Sequence, residues 1–392
     1  MLAATVRVTR DLDLAEECVQ DAYARALVAW QNIGVPDRPG AWLTVTSRRA
    51  ALDVMRRDAL FRKAIPELVM DETEPPADPA AGFPDDRLRL ISTCCHPALA
   101  PEAQIALTLR LVCGLSTAEV ARAFLVSEST MAARITRAKK KIAIARIPYR
   151  VPSVADLPTR MGTILATVHL IFTTGHTAPA GPDLVRADLV HRALDLTRML
   201  RALLPEDADV AGLLALILLS DARRDARQDP ETAELVLLEE QDRSKWDRAA
   251  IDEGDALVRE ALRARPPSRY ALQAAIAAVH DAAPTWEATD WAQIVGLYDV
   301  LVTVWPSPVV AMNRAIAIGF AQGPRAGLDA LDLLADEPQL ATYGYLASSR
   351  AAFLHKLGHD REARLAYQEA LLLTENEVER RLLERRLATL PG

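Results

Sequence analysis

Residues 64–86 hold five prolines and seven acidic residues without a single lysine or arginine. Proline removes helix hydrogen bonds and like charges repel, so this stretch is expected to be an extended linker. A second break, Ile147-Pro-Tyr-Arg-Val-Pro-Ser153 with Pro158 close behind, leaves three units: 1–63, 87–147 and 155–392. Composition says what they are built from. Aromatics are 5% and glycines 16 of 392 residues, while half the chain is hydrophobic and rich in Ala and Leu, which argues for an all-α protein.

Charge is unevenly placed along the chain. The formal net charge is −7, yet residues 1–150 hold 21 Lys/Arg against 18 Asp/Glu and the remainder 25 against 35. Four cysteines, Cys18, Cys94, Cys95 and Cys113, form no spaced framework, which excludes a disulfide-built secreted domain. No apolar run reaches the roughly 18 residues that span a membrane, and the N-terminus lacks the basic-then-apolar order of a signal peptide. A cytoplasmic protein with no membrane partner is expected.

In the first unit, Asp13 precedes Glu16 by three residues, as an N-cap with a reciprocal acid would. Leu14, Cys18, Ala22, Ala26 and Trp30, with Val19 and Leu27 alongside, recur at helical spacing. Glu16, Glu17, Gln20, Asp21 and Arg25 take the opposite face. Residues 32–40 form a loop by composition, and a second helix starts near Ala41 and carries Arg48, Arg49, Arg56 and Arg57. Taken alone, those arginines fit a solvated helix face as well as a binding one.

The sharpest local signal is residues 114–142. Ser116 and Glu119 form a capping box for a short helix whose apolar side is Val120, Ala121 and Phe124. After a tight connection, Ser127 starts a second helix on which Met131, Ile135, Ala138 and Ile142 make one stripe. Ala133, Arg134, Thr136, Arg137 and Lys140 are then expected on the open side. A short helix, a turn and a basic second helix describe a helix-turn-helix that reads the major groove. Residues 101–147 hold eight Lys/Arg against three acids, which suits phosphate contacts.

Together these segments carry a family resemblance. Leu14-Ala-Glu-Glu-Cys-Val-Gln-Asp-Ala-Tyr-Ala-Arg-Ala-Leu-Val-Ala-Trp30, then Ala41-Trp-Leu43, Asp53 and Arg56-Arg57, resembles region 2 of the extracytoplasmic-function sigma factors of bacterial RNA polymerase. Leu115, Ser116, Glu119, Ala121, Ser127, Thr130, Arg134, Arg137 and Ala138 are similar to region 4 of the same family, and the acidic stretch lies where that family has its linker. The resemblance implies two small helical sigma domains. It gives Glu16, Glu17, Gln20 and Asp21 to the polymerase core. It gives Arg48, Arg49 and Arg56 to the minus-10 element of promoter DNA, and Ser127, Thr130, Arg134, Thr136, Arg137 and Lys140 to the minus-35 element. Arg48-Arg49-Ala50 departs from the family's Arg-Asn-Arg, and Ala132 and Ala133 replace larger polar residues, so no promoter sequence carries over. The chain begins inside what should be the first helix of region 2, short of a typical member's start.

Beyond the helix-turn-helix, Ala351, Leu354, Gly358, Ala363, Tyr367 and Ala370 follow the pattern of a tetratricopeptide repeat, with a weaker copy in Asn313-Arg-Ala315, Gly323, Leu328 and Ala335. The whole is identified as similar to the sigma-factor subgroup with a tetratricopeptide-like α-solenoid extension, taken to regulate activity by a protein partner or a ligand. Chemistry is sparse here. Adjacent Cys94-Cys95-His96 lacks zinc-ligand spacing and reads as core. His169 and His176 have no paired acid or nucleophile, and Asp242, Arg243, Trp246 and Asp247 suit an internal ion-pair knot better than a ligand site. No Gly-rich phosphate loop occurs. No enzyme, metal or cofactor is expected. The other functional class that fits is a free-standing helix-turn-helix regulator with a sensing repeat domain, which would need no polymerase-docking helix.

Overall fold

A computed structural model describes residues 1–63, 86–124, 126–150 and 157–391 of the chain. The acidic linker expected at 64–86, save Asp86, and the break at 151–153 lie outside these residues. The described residues form eighteen α-helices and two strands of two residues each, as an all-α composition requires. They divide into two units, Met1–Thr167 and Val168–Gly392.

The first unit opens with α1 (Leu2–Thr9), α2 (Leu12–Ile33) and α3 (Pro39–Lys63). Arg10 turns left-handed (φ 52°) and stops α1, which leaves Asp11 extended at the next helix's N-cap. Asp11 Oδ1 accepts from the Asp13 and Leu14 amides at 2.8 and 3.0 Å, so the cap is Asp11 and not the expected Asp13. Ala15, Cys18, Ala22 and Ala26 bury one side of α2, facing Leu43, Ala50 and Ala51 of α3. Leu27, expected beside that core, is 70% exposed. The cause is phase, because Leu27 follows Ala26 by one residue and turns about 100° away.

A second group of helices follows: α4 (Asp86–Cys94), α5 (Pro101–Leu107) continuing into a π-turn at Thr108–Val112, α6 (Thr117–Ala123) and α7 (Glu128–Ile144). Leu90, Ile91, Leu107, Leu109, Val120 and Met131 make its core. The helix α8 (Leu157–His176) begins in this unit, where Arg160 donates to the Ser92 carbonyl at 3.1 Å.

The second unit is built around α10 (Ala208–Asp221), buried continuously from Val210 to Ser220 and flanked by α9 (Ala187–Leu203), α11 (Arg248–Ala261) and α12 (Arg269–Ala282). A helix that is apolar all round can only be central. From there α13 (Trp291–Val304), α14 (Pro308–Gln322), α15 (Pro324–Asp332), α16 (Gly344–Lys356), α17 (Asp360–Leu373) and α18 (Glu377–Thr389) each pack on the next. Gly358, at φ 80°, closes α16 so that α17 can fold back, and Ala351, Leu354, Ala363, Tyr367 and Ala370 are all buried between the pair. Gly323, at φ 104°, does the same between α14 and α15.

The unit's first and last elements meet. Ala180–Gly181 pairs in parallel with Glu375–Asn376, and the fully buried Asn376 amide donates to the Ala178 and Asp183 carbonyls at 2.9 Å each. Its oxygen accepts from the Val378 and Glu379 amides and caps α18. One side chain thus ties the end of the unit to its beginning.

Two outcomes test the packing. An added Cβ on Gly319 would sit 2.1 Å from Cζ of the buried Phe353, whereas one on exposed Gly296 meets nothing within 4 Å. Gly319→Ala should therefore cost about 1–3 kcal/mol by overpacking. Gly296→Ala should stabilise by up to about 1 kcal/mol. Thermal melts of the two full-length variants should shift in opposite directions.

Acid should also weaken this unit. Burial, with Arg269 nearby, lowers the His169 pKa to about 4, and burial with Arg223 and Arg243 lowers that of His280 to about 3. Burial and three arginines hold His176 well below its usual value. Unfolded histidine takes a proton near pH 6.5 that these sites refuse, so stability is lost as pH falls from about 6.5 towards 4. Burial raises the Asp281 carboxyl to about 6, against Arg223 and Arg243, and opposes the trend over part of that range. Three histidines outweigh one aspartate. A denaturant series should show lower stability at pH 5 than at 7.5, with His169→Gln removing about 2 kcal/mol of the difference.

Candidate nucleic-acid interface

The α6–α7 hairpin is fixed by its own hydrogen bonds. The Ser116 amide donates to Glu119 Oε2 at 2.7 Å and the Glu119 amide to Ser116 Oγ at 3.2 Å, the reciprocal box expected from the sequence. Ser127 Oγ accepts from the Thr130 amide at 3.2 Å and starts α7. The Thr130 hydroxyl lies 2.8 Å from Ser127 Oγ, so both hydroxyls sit at the exposed entry to the helix. Met131, Ile135, Ala138 and Ile142 are all below 9% exposed and seat the helix along one stripe.

That seat decides which side chains face outward. Ala132, Ala133, Thr136, Arg137, Lys140 and Lys141 are exposed. Arg137 Nε donates to the Ala133 carbonyl at 3.2 Å, and among the described residues Arg137, Lys140 and Lys141 meet no carboxylate. Arg134 departs from expectation. It is half-buried with its guanidinium 5.4 Å from the centre of the Phe124 ring, because position 134 borders the stripe where the turn's aromatic side chain lies.

Lys139 is the residue that sequence reasoning passed over. It follows Ile135 by four and precedes Ile142 by three, so it too borders the stripe, and its ammonium reaches Asp13 Oδ1 at 2.7 Å and bonds Glu16 Oε2. Arg110 Nη2 holds the other Glu16 oxygen at 3.0 Å. Burial disfavours the Lys139 charge, but the two carboxylates outweigh it and raise the pKa. Glu16 is therefore half-buried and paired. Glu17, Gln20 and Asp21 stay exposed, Asp21 pairing with Arg25 at 2.8 Å. Beside them Tyr23, Leu27 and Val28, between 52 and 70% exposed, add an apolar ridge to the same helix.

On α3, Arg48, Arg49, Arg56 and Arg57 are exposed, with partly exposed Val45, Leu52 and Met55 interleaved. Cys94 and Cys95 are buried thiols, raised by that burial, with Cys95 Sγ 3.5 Å from Thr108 Oγ1. Among the described residues no His, Cys, Asp or Glu group could hold a metal ion, and no helix is long and apolar enough to cross a membrane.

The residues singled out in the second unit serve its structure. Asp242 caps the short turn at Arg243–Lys245 and Asp247 caps α11. Arg243 donates to the His280 and Ala283 carbonyls at the end of α12 and stacks on Trp246 at 4.5 Å. His169 packs edge-on against Tyr270, and His176 lies at a tilt of 33° against Phe172. Elsewhere, a groove of about 320 Å³ runs between α13, α14 and α15, lined by Asp299, Val302, Arg314 and Leu333 among others.

Three family models match parts of the chain. A family model for sigma-70 region 2 matches residues 2–60, one for sigma-70 region 4 matches 92–142, and a family of unknown function, DUF6596, matches 160–262. An uncharacterized protein of Rhizobium meliloti (strain 1021) is 42% identical over 384 residues, 96% of this chain and 90% of its own. A protein described as probable ECF RNA polymerase sigma factor SigI, from Mycobacterium tuberculosis (strain CDC 1551 / Oshkosh), is 28% identical over 146 residues, 36% of this chain and 50% of its own.

Proposed function

This chain belongs to the same family as the Rhizobium meliloti relative and is a sigma-70 protein by its regions 2 and 4, and we propose that it acts as an extracytoplasmic-function sigma factor. It brings the RNA polymerase core to particular promoters in the cytoplasm and helps open them, with no catalysis of its own. The observation that carries this reading is the pairing of two surfaces in one chain. A rigidly seated helix turns Thr136, Arg137 and Lys140 outward, and a region 2 body presents Glu17, Gln20 and Asp21. A free-standing regulator needs only the first.

In this reading Ser127, Thr130, Arg134, Thr136, Arg137 and Lys140 meet the minus-35 element. Arg137 can bond both acceptors of a guanine, and Ser127 and Thr130 approach phosphate at the positive end of the helix. Arg134, held on Phe124, shapes this surface more than it reads bases. Arg48, Arg49 and Arg56 hold the minus-10 strand. Glu16, Glu17, Gln20 and Asp21 dock on polymerase, where Tyr23, Leu27 and Val28 add apolar area. The second unit is a tetratricopeptide-like regulatory extension whose groove at Arg314 and Leu333 suits a partner. Run-off transcription with core polymerase, using the full chain and a chain ended at Arg150, tests both halves. Promoter-dependent transcripts are expected, with different yields from the two forms.

Two sets of variants sharpen the test. Arg137→Ala should lower affinity for the cognate minus-35 duplex by about 1–3 kcal/mol and leave folding intact, since Arg137 bonds only its own helix. Lys140→Ala should weaken binding to all sequences alike and reduce the salt slope by about one. Footprinting and salt titration separate the two.

Asp21→Arg should abolish binding to core polymerase while minus-35 duplex binding persists. The exposed Asp21–Arg25 pair it breaks contributes little stability, on the order of 0.3–0.5 kcal/mol. A polymerase pull-down beside a duplex-binding assay reads this directly.

A further inference from the structure

In the second unit, buried polar groups without partners gather in one place. Among its described residues, every buried side-chain polar atom that no protein group bonds falls on Arg223, on 241–246 or on 280–289. An orphaned buried polar atom costs about 1–3 kcal/mol, so a folded chain keeps few of them and a group of them calls for a cause. Four of the residues are neighbours in space. Arg223 follows α10, Arg243 and Trp246 lie in the turn before α11, and Asp281 sits in the last turn of α12. The Arg243 and Arg223 guanidiniums are 4.5 and 6.0 Å from the centre of the Trp246 ring. Arg223 Nη1 stands 3.5 Å from Asp281 Oδ1, an ion pair with no hydrogen bond in it. The Asp281 side chain is fully buried and Trp246 is 3% exposed.

What the cluster has in excess is donors on cations. Arg223 Nη1, Arg243 Nη2 and Trp246 Nε1 each carry an N–H with no acceptor in the protein. Arg243 commits its Nη1 to the His280 and Ala283 carbonyls, at 2.8 and 2.7 Å, and so neutralises the end of α12 while Nη2 is left over. The two guanidiniums share one buried carboxylate, that of Asp281. The other acid whose charge favours Arg243, Glu287, is exposed. Buried charges are stable only when paired, and here one positive charge has no buried counterpart. Arg243, His280 and Trp286 are half-buried, and Thr285, Glu287 and Ala288 in the loop between α12 and α13 are exposed, so the cluster borders the surface on that side.

We propose that Arg223, Arg243 and Trp246 bind a small oxyanion, the carboxylate or phosphate group of a ligand. The anion supplies the acceptors that three N–H donors lack and the negative charge that two guanidiniums around one carboxylate leave wanting. Asp281 sets the condition for entry. Like charges in one dry site cannot both stay ionised, so the anion enters with a proton taken up from solvent by Asp281, whose O–H becomes a further donor. Burial already raises that carboxyl to about 6, against the pull of Arg223, Arg243 and exposed Arg248. The ligand joins the end of α10, the turn before α11 and the end of α12, and so fixes how the helices around α10 lead into α13. The site lies wholly in the second unit and does not rest on the sigma reading.

The test titrates the full chain with inorganic phosphate and, separately, with acetate at constant ionic strength, reading heat and melting temperature. At least one anion should bind and raise the melting temperature with its concentration. A response to phosphate alone assigns the site to a phosphate group, and one to acetate alone to a carboxylate. Trp246→Phe keeps an aromatic ring and removes the N–H, so binding should weaken about tenfold with helicity unchanged. Asp281→Asn removes the opposing charge and keeps a donor, so binding should tighten about tenfold. A carboxylate that served only to hold Arg223 gives no such tightening. Failure of both anions to bind the parent protein overturns the proposal. So does binding that Trp246→Phe and Asp281→Asn leave as it was, because the anion then sits elsewhere.

Discussion

Close approach between helix backbones is the constraint on which the second unit depends. A Cβ on Gly212 would lie 2.7 Å from the Ala271 amide nitrogen, one on Gly254 2.7 Å from Leu219, and one on Gly327 2.5 Å from the backbone of Gly319. Alanine fills most of the other crossings, with Ala211, Ala215, Ala271, Ala274, Ala363 and Ala370 all fully buried. This accounts for a chain that is half hydrophobic yet only 5% aromatic. The rings are few and clustered: Trp286, Trp291, Phe320 and Phe353 form a run of contacts between 4.5 and 6.0 Å, and Phe353 packs onto Gly319 and Gly327 where those helices approach. Helix packing at contact distance has little slack, so a single Asn376 suffices to fix where the array ends.

The first unit uses the same economy for a different end. Its recognition helix is seated by four residues, Met131, Ile135, Ala138 and Ile142, which make one buried stripe along its length. A helix held along one stripe has its opposite face determined to within a residue's rotation. The outward placement of Thr136, Arg137 and Lys140 follows from that geometry and from no contact of their own. The border of the stripe behaves differently. Arg134 and Lys139, one on each flank, meet protein first, the one Phe124 and the other Glu16.

Much of this was legible in the sequence because it is written within three or four residues. The Ser116–Glu119 box, the Ser127 cap, the buried stripe of α7 and the Gly358 helix stop all rest on local hydrogen bonds or on helical period. The errors have local causes too. Asp13 was a plausible cap until Arg10 turned left-handed and moved the helix start to Asp11, and Leu27 read as core because apolar identity was given weight over phase. What sequence could not disclose were partnerships without period. Nothing near Glu16 announces Lys139, and nothing near Asn376 announces the carbonyls of Ala178 and Asp183, 198 and 193 residues away. Such contacts are set by tertiary packing, which no short window contains.

Position relative to the core also sorts the charges by role. In the second unit Arg243 and Arg201 are turned inward, the first onto the carbonyls that end α12 and the second onto Glu260. Arg223 lies 3.5 Å from a fully buried Asp281. A buried pair such as Arg223–Asp281 adds little net stability once desolvation is counted, while the part-buried Arg201–Glu260 pair and the Arg243–carbonyl bonds join neighbouring helices. Lys139 and Arg110 belong to the same class, although they join two sigma domains. Arg137, Lys140 and Lys141, with Arg48, Arg49 and Arg56 on α3, form the other class, exposed cations whose field is free to act on an external polyanion. Salt therefore acts on the two classes unequally, because exposed charges are screened within about 8–10 Å while buried or partly buried pairs are screened much less. On the proposed reading, raising ionic strength should release the chain from DNA long before it loosens the contacts that hold each helix in place, and helicity measured beside DNA binding separates the two.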